Sequence, residues 1–148
     1  MNTKNFKPVT EYTVSLQDAL KKSYNLATVD LAMQTGLDRI VALAAKFNFT
    51  TPIKPYPSLA LGAFEVIPLE LARAYCVFAA EGVQPFPLSL KGVVDETGRI
   101  LEHQHLSIER LIPPAEAFIM TNMLQSVVSE GTARSLGWRG VTWPVAGK

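Results

Sequence analysis

Residues 15–36 read SLQDALKKSYNLATVDLAMQTG, and from them the fold class follows. Ser15 with Asp18 three residues on has the form of a capping box, where side chains satisfy free amides at a helix start. Leu16, Ala19 and Leu20 then share one apolar face. The pattern breaks at Ser23-Tyr24-Asn25 and restarts with Ala27, Val29, Ala32 and Met33, ending at Gly36, a residue suited to the turn after a helix. Two short helices are predicted, with a Ser-x-Asn triplet at their junction.

Outward from this pair the pattern stays helical. Leu37, Ile40, Val41, Ala44 and Ala45 fall at i, i+3, i+4, i+7 and i+8, which predicts a third helix ending near Phe47 and Asn48. Pro52, Pro55 and Pro57 forbid regular structure over residues 50–58. Pro68 suits the first turn of a helix whose buried side reads Leu69, Ala72, Tyr75, Cys76 and Ala79, stopped by Gly82. Leu88, Leu90, Val93 and Val94, then Asp95-Glu96-Thr97-Gly98, then Arg99, Ile100 and Leu101 read as a hairpin with Gly98 in its turn. Pro113 and Pro114 open a last long helix with Phe118, Ile119, Met123, Leu124, Val127 and Val128, closed by Gly131. In the tail, residues 138–148, Val141, Trp143 and Val145 alternate and predict the start of a strand whose partners the chain does not supply. Residues 1–13, polar and with Pro8, read as an extended lead-in, and no internal repeat is visible. The fold class is α+β, predominantly helical.

With 148 residues, 48% hydrophobic, 18% charged and a net charge of +1, the composition is that of one folded domain and excludes disorder. A near-neutral balance with no basic cluster argues against nucleic-acid partners. The longest run free of charge and proline, residues 117–129, is too short to cross a bilayer, so no membrane segment is expected. The first residues lack the apolar run of a signal peptide, so any export would be directed by sequence outside the chain. The single cysteine, Cys76, reads as a small buried core residue. With one Cys and two His, His103 and His105, both expected to be exposed, no metal site or cofactor is indicated.

Ser23-Tyr24-Asn25, the segment Ala60–Ala72 with its Ile67-Pro68 helix entry, Glu130-Gly131-Thr132-Ala133, and the closing Ala146-Gly147-Lys148 occur in an order and spacing that resemble the transpeptidase domain of class A, bifunctional penicillin-binding proteins. A lone Ser-x-Asn is weak evidence, but four ordered matches from about Val14 to Lys148 are not. The resemblance implies the helical lobe of the penicillin-binding-protein and serine β-lactamase-like transpeptidase fold, with one β-hairpin and a C-terminal strand start. It also implies peptidoglycan cross-linking by serine acyl transfer, through a Ser-x-x-Lys nucleophile motif, a Ser-x-Asn motif and a Lys-Thr-Gly motif. Residues 14–148 would be part of that domain. The stem peptides of peptidoglycan and β-lactams would be the parent enzyme's partners, and the rest of its own domain this chain's. The parent would act on the outer face of the cytoplasmic membrane through an anchor not encoded here.

A serine hydroxyl needs a positioned base, and a second hydroxyl between two lysines can carry a proton to the leaving amine or β-lactam nitrogen. On the resemblance Ser23 is that relay hydroxyl, Lys148 the outer lysine that polarises it and attracts a carboxylate, Asn25 the amide that holds the donor backbone, and Tyr24 a residue at the site's edge. No Ser-x-x-Lys precedes Ser23 and no Thr-Gly follows Lys148, so the nucleophile is expected outside this sequence and the isolated chain is expected to be inactive. Plainer roles compete. Asn25 also suits a cap for a helix beginning near Ala27, and Lys148 as a last residue would ordinarily be frayed. Tyr24 reads equally as a packing aromatic. Glu65 and Glu70 read as helix-entry acids rather than catalytic groups, and Thr132 as a shaper of the turn. Trp138 and Trp143 read as core or strand-face residues. Two rival readings are a non-catalytic helical interaction module with coincidental motifs, and a fragment of a monofunctional penicillin-binding protein.

Overall fold

The computed structural model describes residues 13–104 and 108–148; the expected lead-in and His105 fall outside them, apart from Thr13. The helical half follows the sequence closely. Helix α1 is Leu16–Lys22, α2 Asn25–Thr35 and α3 Leu37–Ala45. Ser15 caps α1: its Oγ accepts the Asp18 N–H at 3.0 Å and donates to the Asp18 carboxylate at 2.9 Å. Helix α2 begins two residues before Ala27, with Tyr24 at its cap position and no side-chain cap, so the capping role considered for Asn25 does not hold. The Tyr24 carbonyl instead takes both the N–H and the hydroxyl of Thr28, at 3.0 and 2.9 Å, which winds the first turn early.

The proline-rich loop carries one regular piece, a 3-10 turn at Pro57–Leu61 begun by Pro57, and α2 packs against it. Helix α4, Pro68–Ala79, starts at its proline with Ile67 at the cap position and no cap hydrogen bond. Glu70 accepts the Thr50 N–H with both oxygens, at 3.3 and 3.2 Å, and so ties the loop to α4 in a structural role.

Two short antiparallel pairs follow. Strand β1 (Val83–Gln84) pairs with β4 (Glu109–Arg110), a contact too brief for any sequence period to announce. Strand β2 (Gly92–Val94) pairs with β3 (Ile100–His103), the expected hairpin, with an irregularity after Val93. Its turn is organised by Asp95, whose Oδ1 accepts the Thr97 hydroxyl at 2.7 Å and the N–H groups of Thr97 and Arg99, each at 2.9 Å. These bonds, the Thr97 hydroxyl foremost, hold the Asp95 carboxyl below the usual aspartate range. Both faces of the hairpin are exposed, His103 included.

Helix α5, Pro114–Ser129, is the spine of the molecule and packs against α1, α4 and the short α6 (Ser135–Trp138). The main core gathers Phe47, Ala74, Val77, Leu111, Ile112 and Ala117, with Phe49 and Phe78 against it. Leu124, Ser126 and Val127 are buried further along α5, and Ala19 of α1 is buried as well.

Three expectations are overturned. On α4 the buried residues are Ala74 and Val77, whereas Leu69, Ala72, Tyr75, Cys76 and Ala79 are exposed. That helix is apolar nearly all round, so its periodicity could not say which side meets α5. Trp138 and Trp143 are 76% and 66% exposed rather than core, and Trp138 stacks under the Arg134 guanidinium at 5.2 Å. Residues 139–148 form no strand; after a turn at Arg139-Gly140 the segment is irregular and held by single backbone bonds, Val141 N–H to the Leu136 carbonyl at 3.2 Å and Gly147 N–H to Leu124 at 3.4 Å.

Candidate active site

The end of α1 sets the site. Ser23 is the C-cap residue, with φ 58° and ψ 50°, a left-handed conformation that an L-residue adopts at a cost of about 1–2 kcal/mol. Its N–H reaches the Leu20 carbonyl at 3.2 Å and the next N–H, of Tyr24, reaches Ala19 at 2.9 Å, so the reversal is closed by backbone bonds. The turn lifts the Ser23 hydroxyl out of the helix toward the tail.

Lys148 meets it there. Its Nζ donates to Ser23 Oγ at 3.2 Å, joining residues 125 positions apart. Lys148 is not a frayed end: its carbonyl accepts the Tyr75 hydroxyl of α4 at 3.4 Å, and its neighbour Gly147 is bonded to Leu124 of α5. The residue as a whole is exposed, yet desolvation around the ammonium pushes its pKa below the ordinary lysine value of 10.5. A cation donating to a hydroxyl oxygen makes that hydroxyl a better proton donor in turn, which suits a relay.

Tyr24 is half-buried, with the Lys22 ammonium 5.8 Å from its ring centroid, and Asn25 is a half-buried first residue of α2. All four residues singled out in the sequence therefore sit at the α1–α2 junction or against it. Glu65 is exposed and Glu70 is engaged with Thr50. Among the described residues no three His, Cys, Asp or Glu side chains are placed to hold a metal ion, and no helix is long and apolar enough to cross a membrane.

What the sequence did not show is the attachment of α1 to α5. Lys21 Nζ bridges Asp18 at 3.2 Å and Glu130 at 3.0 Å, and the Lys21 carbonyl accepts the Thr132 N–H at 3.2 Å. Gln17 Nε2 donates to Ser126 Oγ at 2.8 Å. Pairing to Glu130 first, then to Asp18, holds the Lys21 ammonium above the usual lysine range. The Asp18–Lys21 spacing was readable as a helical i, i+3 pair, but Glu130 lies 109 positions away and carried no such signal.

The family profile of the penicillin binding protein transpeptidase domain matches residues 1–148, the whole chain. The chain belongs to this family. Among penicillin-binding proteins it is 40% identical over 131 residues to penicillin-binding protein 1A of Aquifex aeolicus, covering 88% of this chain and 18% of that protein. It is 33% identical over 136 residues to penicillin-binding protein 1B of Escherichia coli, covering 91% of this chain and 16% of the relative. The crystal structure of penicillin-binding protein 1A from Haemophilus influenzae superposes with a TM-score of 0.80 at 21% identity, over 92% of this chain and 26% of that one. A D,D-transpeptidase domain of a peptidoglycan glycosyltransferase from Eggerthella lenta gives a TM-score of 0.74 at 20% identity, over 90% of this chain and 41% of that one. The chain thus spans less than a fifth of the two curated penicillin-binding proteins, and its fold is that of the helical portion of their transpeptidase domain.

Proposed function

We propose that this chain supplies two of the three polar motifs of a serine D,D-transpeptidase site that cross-links peptidoglycan stem peptides and is acylated by penicillins. The observation that carries the reading is the Lys148–Ser23 contact, a lysine on a hydroxyl drawn from opposite ends of the sequence. The nucleophilic serine and its lysine base lie outside these 148 residues, which contain no Ser-x-x-Lys. Once that serine attacks, its proton must reach the departing amine or the β-lactam nitrogen; the Ser23 hydroxyl passes it on, held and polarised by Lys148. Asn25 holds the donor peptide backbone, Tyr24 borders the cleft, and the Lys148 charge attracts the substrate carboxylate. The parent enzyme acts on the outer face of the cytoplasmic membrane. A free-standing helical interaction module is disfavoured, because the family match covers every residue and the motifs converge in space.

The test is the rate at which the full-length protein is acylated by a fluorescent penicillin. Ser23→Ala should slow it by about 100-fold or more, within the range for loss of a general acid or base. A rate within about threefold of the parent's would overturn the relay role.

A further inference from the structure

The Ser23–Lys148 pair is made by two segments that are both fastened to the same helix. At one end of the span, the Leu124 carbonyl of α5 holds Gly147. At the other, beyond the end of α5, Glu130 and Thr132 hold Lys21, two residues before Ser23. Between Glu130 and Thr132 lies Gly131, and the reason is close approach rather than backbone freedom: a Cβ there would collide with the Lys21 carbonyl oxygen and stand 2.7 Å from the Val127 carbonyl oxygen. Only glycine lets the last turn of α1 lie directly on the chain leaving α5. The Lys21 side chain then closes over this contact and is itself largely covered, 16% exposed, while it bridges Asp18 and Glu130.

We propose that α5 acts as a ruler for the relay, and that Gly131, Thr132 and the Lys21–Glu130 bridge form a clasp that positions Ser23 against Lys148. This rests on the relay reading given above. These are positioning residues, acting through Ser23 without touching substrate. A methyl group at position 131 must push α1 away by on the order of 1 Å, a misplacement that costs about 100-fold in rate.

A double-mutant cycle on the full-length protein tests this, with penicillin acylation measured per active molecule by saturating label. Gly131→Ala should slow acylation by about 10- to 100-fold in the parent and by less than about twofold in a Ser23→Ala background, since the clasp has then nothing left to position. An equal loss in both backgrounds, or no loss in either, overturns the clasp. No effect of Ser23→Ala itself overturns the relay reading beneath it, so the two failures are distinguishable. Should Gly131→Ala not fold, Lys21→Met, which keeps the stem and drops the charge, runs through the same cycle. Its loss should be smaller, about three- to tenfold, and must likewise vanish without Ser23.

Discussion

Gly82 joins α4 to β1, and replacing it with alanine should be among the most damaging single changes in the chain. It has φ +91°, its N–H donates to the Val77 carbonyl at 2.7 Å, and its own carbonyl accepts the Leu111 N–H at 2.9 Å and that of Ile112 at 3.3 Å. A Cβ would collide with the Ile112 carbonyl oxygen and lie 3.2 Å from the Ile112 side chain. The positive φ costs about 1–2 kcal/mol, the overpacking about 1–3, and loosening the two bonds to residues 111 and 112 about 1. A loss of about 4 kcal/mol follows, a large part of the roughly 5–15 kcal/mol by which a domain is stable. At about 2–4 °C per kcal/mol for this size, thermal unfolding followed by circular dichroism should show Tm falling by about 8–16 °C. Gly98 is the control, because it has φ +82° but nothing within 4 Å of its would-be Cβ. Gly98→Ala should therefore cost only the backbone part, about 2–8 °C. Equal shifts for the two variants would refute the assignment of the difference to the contact with Ile112.

Four further outcomes are expected. Lys148→Met in the full-length protein removes a charged hydrogen bond of about 1.5–3 kcal/mol and should slow penicillin acylation by about 10- to 150-fold. Because the protonated ammonium is the useful form and desolvation lowers its pKa, acylation should decline with rising pH at a value below 10.5, and Lys148→Met should abolish that alkaline limb; an unchanged limb assigns it elsewhere. The isolated 148-residue chain should form no covalent adduct with labelled penicillin by intact-protein mass spectrometry, and a stable serine adduct would contradict the placement of the nucleophile outside it. Leu69, Phe118, Ile119, Trp138 and Trp143 are all between 58% and 76% exposed, so the isolated chain should bind a hydrophobic dye or self-associate; a dye-silent monomer would count against an apolar surface made for the rest of the domain.

Where the sequence carried its own punctuation, the fold was legible. Ser15, Pro68 and Pro114 mark helix starts by local chemistry, and the Asp95–Gly98 turn does the same for the hairpin. What failed was facing. Helix α4 offers apolar residues on every side, and the choice of Ala74 and Val77 for the core was made by α5 and β1, not by its own period. Val141, Trp143 and Val145 alternate as a strand would, but alternation needs a neighbouring strand to become one, and both strand pairs lie elsewhere. The site divides along the same line. Ser23 and Lys148 were readable from motif order, whereas Lys21 and Glu130 are joined only through the packing of α1 on α5, which no spacing encodes.

The contact between Ser23 and Lys148 also has a place in time. Closing a loop of 125 residues costs about 4 kcal/mol in chain entropy, more than one charged hydrogen bond returns. The pair alone cannot draw these two segments together; it depends on α1 being docked on α5 and the tail being held at Leu124. On the relay reading, the contact the chemistry needs is thus one that depends on the packing of α1 and the tail on α5. On the relay reading, a molecule in which this contact has not yet formed would react with penicillin more slowly than the fully folded one.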